Sequence, residues 1–543
     1  MESFSEEERR LLEPFVSNLD RPVFVLHNLP EVVRGALFSR YSRSTKSLRR
    51  TLLDEFIKND EIGLNASVTG GAGGGSGGMA GFGSIVATEK AEKFYDRVLL
   101  GYGDDSVAEL AGAHIALEDI SIIATKCVED ARIGLSPLEK STRYVYFDQK
   151  VDGKWRYYEE PDLMASEFAG TYSAACDRLF ETYSSLIPKI SAYVSEKMPR
   201  DEKLSERAHE ATVRAKTCDI VRGLLPASTR TNMGFFGNGR AYEYLITRMY
   251  AEPLAEMNAL AKSMQAELRT AIPSFVKRPD TEHGKGMQAY MRETRLADAG
   301  AALGTHPWKG GEEAVLVDYD GDAEERVIAA ALYPYSGLPM KELAARVKAM
   351  PPAEREKIIA AYVGQRKNRR QKPGRGFEAA RYTFEICANY GCYRDIHRHR
   401  VLSQQRQVLG CLHGFTLPEE ITDAGYESEF RDAMDAAKNA WGDIASKHPL
   451  QAQYVVPLAY RIRWQMGMNL REAYHFCELR SAVQGHIDYR RVAQGMYREI
   501  ARVHPSLAKG MRFMDMGEHE FERLEAEKRL DRKIEEAKGK HGG

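Results

Sequence analysis

The sequence predicts an α/β (α+β) protein of two tandem, related domains, each a mixed sheet flanked by long helices. Three observations carry that expectation. Pro226 is followed by Asn238 and Arg240 twelve and fourteen residues on, and Pro457 by Asn469 and Arg471 at the same two spacings. Val23-Phe24-Val25-Leu26 opens a stretch ending in Arg40-Tyr41-Ser42, and Val315-Leu316-Val317 opens one ending in Pro334-Tyr335-Ser336. The repeat is far longer than a solenoid period, and 543 residues suffice for two or three cores, so it reads as duplicated domains.

Element by element, a polar helix is expected over 5–16, a strand over 23–26 and a helix over 30–41. The basic, hydroxyl-rich run 42–50 reads as either an anion-binding loop or a solvated helix entry. Residues 70–83 hold nine glycines, but no Lys-Ser or Lys-Thr follows them, so a flexible insertion fits better than a phosphate loop. Helical periodicity runs over 89–132 and 161–272. Pro279, Gly284, Gly286, Gly310 and Gly311 mark 276–313 as an interdomain segment. A strand at 314–318 and a helix at 322–333 start the second copy, the basic run 366–372 reads as a solvated connector in preference to a nucleotide-phosphate site, and a charged helical tail follows 516. The resulting boundaries are 1–280 for the first domain, 281–313 for the linker, 314–516 for the second domain and 517–543 for the tail.

Bulk properties narrow the function. A formal charge of −1 gives no global field toward nucleic acid or an anionic membrane. There is no apolar run of spanning length, and the N-terminus is acidic with no apolar stretch, so neither a membrane partner nor a secretory signal is expected. Seven cysteines in so long a chain make no disulfide framework, which fits a cytoplasmic setting.

The sharpest local motif is Arg398-His399-Arg400. In an irregular segment, alternate residues point the same way, so two guanidinium groups can grip one anion while His399 faces elsewhere. Phosphate is the natural partner of such a pair. Glu378 lies twenty residues upstream, with Tyr382-Thr383-Phe384-Glu385-Ile386 between. Downstream come Pro457, Asn469, Arg471 and, nine residues later, Arg480.

In this ordered set the second copy resembles the flavin-dependent thymidylate synthases (the ThyX family). It departs from their pattern at Val408, where the signature Ser would fall, at Gly410 and Gln453, where arginines would fall, and at Asp395, where a glutamine would fall. The first copy resembles the family in the opposite way. Glu139-Lys140-Ser141-Thr142-Arg143-Tyr144 matches the nucleotide-binding end of the signature, and Arg222 precedes Pro226 by four residues, while Ala131, Arg132 and Ile133 stand at the Arg-His-Arg positions. Arg248 falls one residue short of its expected place, Met249.

The resemblance implies a synthase that methylates dUMP, or a related pyrimidine nucleotide, to dTMP, with FAD as cofactor and methylenetetrahydrofolate and NADPH as co-substrates. It assigns Ser141, Glu139 and Arg480 to catalysis. Arg143, Arg222 and Arg480 go to the substrate, and Arg398, His399, Arg400, Asn469, Arg471, Asn238 and Arg240 to the flavin. It also implies a homodimer forming a pseudo-tetramer, with two degenerate copies pooling residues into one composite site. No catalytic cysteine and no metal are required. Three alternatives stand beside it: a degenerate flavin- or nucleotide-binding protein, a uracil-modifying enzyme acting on another nucleotide or on RNA, and a metal site from Cys387, Cys392, His397, His399, Cys411 and His413.

Overall fold

A computed structural model describes residues 2–58, 107–200 and 204–541. The Gly-rich segment 70–83 and the part of the helical stretch before 107 lie outside the described residues. The chain forms two compact units. The first comprises Met1–Glu118, Cys127–Glu139 and Asn232–Ala299; the second comprises Asp119–Lys126, Lys140–Thr231 and Gly300–Gly543. Much of the first sequence copy, residues 140–231, is therefore part of the same compact unit as the whole second copy.

In the first unit, Ser5 caps helix Glu6–Leu12, its hydroxyl accepting from the Glu8 amide while the Glu8 carboxylate accepts from the Ser5 amide. Helix Glu31–Tyr41 follows, burying Val32, Val33, Ala36 and Leu37. The strand expected at 23–26 is a single bridge, Val16↔Leu26, with Val23 and Val25 exposed. The segment has only residues 15–17 to pair with, too short a partner to make a ladder. The cations of 42–50 find internal partners: Arg49 donates to the Asn18 and Arg21 carbonyls, Arg50 to Glu8, and Lys46 to Asp54.

Strand Leu135–Glu139 runs antiparallel to Arg230–Asn238, from Leu135↔Gly237 to Glu139↔Met233, and Gly112–Ser121 lies on the other side. Two of these strands correct the helical expectation. Residues 112–121 are extended, with a helix only at Ile122–Glu129, and 230–238 interrupts the stretch 161–272. In the latter, Thr231, Met233, Phe235 and Gly237 are buried alternately, a period of two that a long helical window averages away. The segment 276–313 is also more ordered than a linker: Thr281 caps helix Glu282–Glu293, and Ala297–Ala302 is helical.

The second unit is built on a four-stranded sheet in the order Ala314–Tyr319, Arg381–Asn389, Arg461–Asn469, Leu402–Arg406, antiparallel at every step. Phe384, Ile386, Ile462, Trp464 and Met466 are buried on it, and helix Ile487–Val503 packs against it through its own buried face of Val492 and Met496. Helix Ala169–Lys197 packs on Glu427–Ala445 and Glu206–Val221. The two landmark prolines meet: Pro226 bridges Pro457, with Ala227 N donating to the Val456 carbonyl and Leu458 N to the Leu225 carbonyl, each at 2.9 Å. This exchange is symmetric, as expected where two copies of one unit pair about a local two-fold.

Arg366, placed by the sequence in a basic connector, is 3% exposed in its side chain and forms a bidentate pair with Glu478 at 2.7 and 2.5 Å. The charged tail forms helix Leu524–His541, tied to Arg207 through Asp531. Among the described residues no helix is long and apolar enough to cross a membrane.

Candidate functional site

The second unit brings arginines from both sequence copies to two carboxylates, Asp219 and Asp395, that are largely shielded from solvent. Arg143 follows directly on the chain turn after strand Leu135–Glu139, where its amide donates to the Ser141 hydroxyl at 3.2 Å. Its guanidinium grips Asp219 through two bonds of 2.8 Å, and its third nitrogen donates to the Tyr489 hydroxyl at 3.0 Å. Arg523 adds a second cation to Asp219 at 3.4 Å. Burial opposes ionisation of Asp219, but the Arg143 guanidinium outweighs it and holds the carboxyl well below the usual range.

Arg222 ends helix Glu206–Val221, and its Nη1 donates to Asp395 at 2.9 Å. Asp395 sits in helix Tyr390–Ile396, whose first turn is capped by Asn389. Burial opposes the Asp395 charge too. Arg222, then Arg143, His486 and Arg398, overcome it, so this carboxyl also stays ionised well below the ordinary range. Arg222 from the first copy thus bonds an acidic side chain of the second, and the charges of Arg143 and Arg398 add to holding it ionised.

Arg480 completes the group. Its Nε donates to His399 Nε2 at 2.9 Å, and its guanidinium carbon lies 5.5 Å from the Tyr489 ring, the same distance as that of Arg143. Tyr489 is thereby flanked by one arginine from each copy, each a cation–π contact. Burial, with help from Arg398, lowers the Arg480 pKa. His399 accepts at Nε2, so its Nδ1 carries the proton donated to Glu472 at 2.8 Å. Burial first, then Arg480 and Lys372, push the His399 pKa down to about 3, which keeps the ring neutral.

The other predicted residues are placed as follows. Arg398 and Arg400 flank His399 in the turn after helix Tyr390–Ile396, with Arg398 half-buried and Arg400 exposed. Asn469 spends its side-chain oxygen capping helix Leu470–Arg480, and Arg471 donates to the Pro373 carbonyl and pairs with Glu378 at 3.4 Å. Glu139, Asn238 and Arg240 belong to the first unit. There Glu139 ends its strand buried, Asn238 caps helix Gly239–Ala251, and exposed Arg240 pairs with Glu109 at 2.8 Å. Arg248 binds the Cys127 carbonyl.

Two hollows adjoin the arginines of the second unit. A cavity of about 270 Å³ is lined by Asp219, Arg222, Asn389, Gly391, His486 and Asp488, among others. An open groove of about 760 Å³ lies along the sheet, lined by Glu378, Arg381, Thr383, Val401, Ser403 and Asn469, among others. The groove lining is polar and includes one arginine, Arg381; Arg398 and Arg400 precede its lining residue Val401 in the chain.

The cysteine-containing metal set does not converge. Among the described residues, ligand atoms close enough to share an ion belong to His399, Glu472 and His475, and both ring nitrogens of His399 are already hydrogen-bonded. All seven cysteines are buried, and burial pushes their thiols up, Cys387 to about 11 and Cys477 well above the usual thiol range among them.

Asp219, Tyr489, His486 and Arg523 are site residues that spacing alone did not reveal. Arg143 meets Asp219 across 76 positions and Tyr489 across 346. The available signal was chemical: an arginine in a buried segment requires a carboxylate somewhere.

The family model described as thymidylate synthase complementing protein matches residues 74–274 and 315–506. A UPF0159 protein of Chlamydia pneumoniae is 43% identical over 535 residues, covering 98% of both chains. A UPF0159 protein of Thermoplasma acidophilum is 36% identical over 525 residues, covering 91% of this chain and 98% of its own. A flavin-dependent thymidylate synthase of Pyrococcus abyssi is 31% identical over 138 residues, 23% of this chain and 56% of the relative. With two matched regions that together span most of its length, the chain belongs to the thymidylate synthase complementing protein family.

Proposed function

We propose that the chain is a flavin-dependent thymidylate synthase that methylates C5 of the uracil of dUMP, with methylenetetrahydrofolate and NADPH as co-substrates. The observation that carries this reading is that Arg143 of the first copy and Arg480 of the second flank Tyr489 while Arg222 of the first bonds Asp395 of the second, a composite of the two copies inside one compact unit.

Arg398, Arg400 and the groove beyond Val401 would hold FAD, with His399 as a neutral spacer locked between Glu472 and Arg480. Bound flavin supplies the hydride that reduces the transferred carbon to a methyl group. Arg480 donates to a uracil carbonyl, drawing electron density from the ring and readying it for substitution. Its low-dielectric setting strengthens that bond. Arg222 faces the nucleotide from the first copy. Arg143 orders Tyr489 and Asp219, and Ser141 acts two residues before it. High-pKa thiols suit a mechanism without a cysteine nucleophile. Chains pair as a homodimer equivalent to the family's tetramer.

The test is a yellow purified protein with a flavin spectrum that releases tritium from 5-tritiated dUMP when both co-substrates are present. A flavin spectrum without release would favour a second reading, a binding protein. The internal neutralisation of Arg143 by Asp219 and of Arg222 by Asp395 supports that second reading.

A further inference from the structure

We infer that Arg523, on the charged tail beyond the second matched region, is a positioning residue: it holds the turn 141–144 in place, and through Arg143 it sets Tyr489 against Arg480. This deepens the proposed function and rests on its placing Arg143 and Arg480 in the site.

The turn depends on donors from elsewhere. Residues 141–144 belong to no strand or helix, so their buried backbone groups must find partners outside any ladder. The Arg143 amide donates to the Ser141 hydroxyl at 3.2 Å, and the Arg143 carbonyl accepts from Arg523 Nη1 at 3.0 Å. The second partner comes from 380 positions away.

The same guanidinium makes two further contacts. Its Nη2 donates to Asp219 Oδ2 at 3.4 Å, the oxygen that also accepts from Arg143 Nη2. Its carbon lies 4.1 Å from the centroid of the Tyr144 ring, a cation–π contact. One planar group thus touches the backbone of Arg143, the carboxylate that grips the Arg143 side chain, and the residue that follows. The Arg523 side chain is 7% exposed, so water competes little for these bonds. Diverging donors on a rigid fork can reach a carbonyl and a carboxylate together, which the single nitrogen of a lysine cannot.

The tail is pinned so as to deliver this side chain. Lys216 and Asp219 lie three residues apart on helix Glu206–Val221. Glu522 pairs with Lys216 at 3.3 Å while its neighbour Arg523 reaches Asp219, and helix Leu524–His541 packs on the same helix. Upstream, Arg490 donates to the Gly517 carbonyl at 2.7 Å. The matched regions end at residue 506, so Arg523 reaches the site from outside them. Its influence passes inward through Arg143, whose Nη1 donates to the Tyr489 hydroxyl at 3.0 Å, and Tyr489 in turn faces Arg480.

The experiment uses the full chain as wild type, Arg523→Met and Arg523→Lys. Deuterium exchange is followed over residues 141–146 and over helix Ala169–Lys197 as a reference, and dUMP affinity is measured by calorimetry alongside bound flavin per chain. In Arg523→Met, exchange over 141–146 should rise about tenfold and dUMP should bind about tenfold more weakly, while the reference helix and the flavin content stay within about twofold. Arg523→Lys, which keeps the charge but one nitrogen, should change both by about threefold. Unchanged exchange over 141–146 overturns the inference. So does a rise of equal size in the reference helix, or flavin lost in step with dUMP, since either makes Arg523 merely structural. Raised exchange with unaltered dUMP affinity overturns it too. Should Arg523→Met not fold, Arg523→Lys decides by the same criteria. Should the wild type bind no dUMP, the substrate reading fails, and exchange alone decides: a rise confined to 141–146 upholds the role of Arg523.

Discussion

Replacing Arg480 with glutamine separates its chemistry from its part in the fold. In the folded state its Nε donates to His399 Nε2 at 2.9 Å, its guanidinium faces the Tyr489 ring, and Arg398 stands close enough to oppose its charge. Losing that hydrogen bond costs about 0.5–1.5 kcal/mol. Removing a buried cation from beside another cation returns an amount of similar size, and no carboxylate is left uncompensated, so net stability should change by about 1 kcal/mol or less. Catalysis should respond differently. A donor aimed at a carbonyl that gains charge in the transition state is worth about 2.7–4 kcal/mol, a loss of roughly a hundredfold to a thousandfold in kcat. Urea denaturation followed by circular dichroism gives the first quantity, and tritium release under saturating dUMP gives the second. The reasoning fails if Arg480→Gln keeps kcat within about fivefold of the wild type, or if it loses more than about 3 kcal/mol of stability, which would make Arg480 a structural residue.

Other outcomes follow from the same geometry. Arg143→Ala and Arg398→Ala should each abolish tritium release, and an equimolar mixture should stay inactive, because the proposed function gives each chain one composite site; recovered activity on mixing would point to sites shared between chains. Asp219 and Asp395 have folded pKa values held below their unfolded ones, so their contribution is present above about pH 4 and is lost as pH falls further. The urea midpoint should drop between pH 6 and pH 3, and less steeply in Asp219→Asn. Glu478→Gln should cost about 3–5 kcal/mol by leaving the buried Arg366 charge uncompensated, while Arg366→Met with Glu478→Met should recover most of it; equal losses in both would refute the pairing.

Periodicity predicted the elements that pack on one face. Helix Ala323–Leu332 and strand Ala314–Tyr319 lie within a residue or two of their expected bounds, since each has a clean pattern and a short neighbour. The strand at 230–238 was hidden because its alternation is flanked by long helices that dominate any wide window. At 23–26 the reverse held: four apolar residues have strand propensity, but a strand exists only where a partner of similar length lies alongside. Within the site, Arg398 was legible in the Arg-His-Arg motif, and Arg143, Arg222 and Arg480 through the resemblance to a family pattern. Their carboxylate partners were not, because Asp219 and Asp395 reach them through tertiary packing. Asp395 could be seen as a departure from a familiar pattern, but its pairing with Arg222, 173 positions away, needed the fold.

The proline bridge explains why each copy is free to degenerate at different positions. Two identical copies paired about a two-fold would build two equivalent composite sites, each using one end of either copy. Once fused, only one of those sites must be kept, and the unused end of each copy is released from its chemistry. On the proposed function, the positions matching the nucleotide end in the second copy carry the marks of that release. At Gly410 a Cβ would lie 2.9 Å from the Trp441 ring, so the indole fills the room an arginine side chain would need. Gln453, matched by spacing to Arg222, spends its amide locally, accepting from the Leu409 amide at 3.2 Å and donating to the Leu450 carbonyl at 2.9 Å. Where the proposed function would need anion-binding arginines, this copy has packing and a neutral loop clasp instead. Restoring the family's arginine alone by Gln453→Arg should therefore add no second site, and titration with dUMP should keep one binding event per chain; two events would show that the second site survives in latent form.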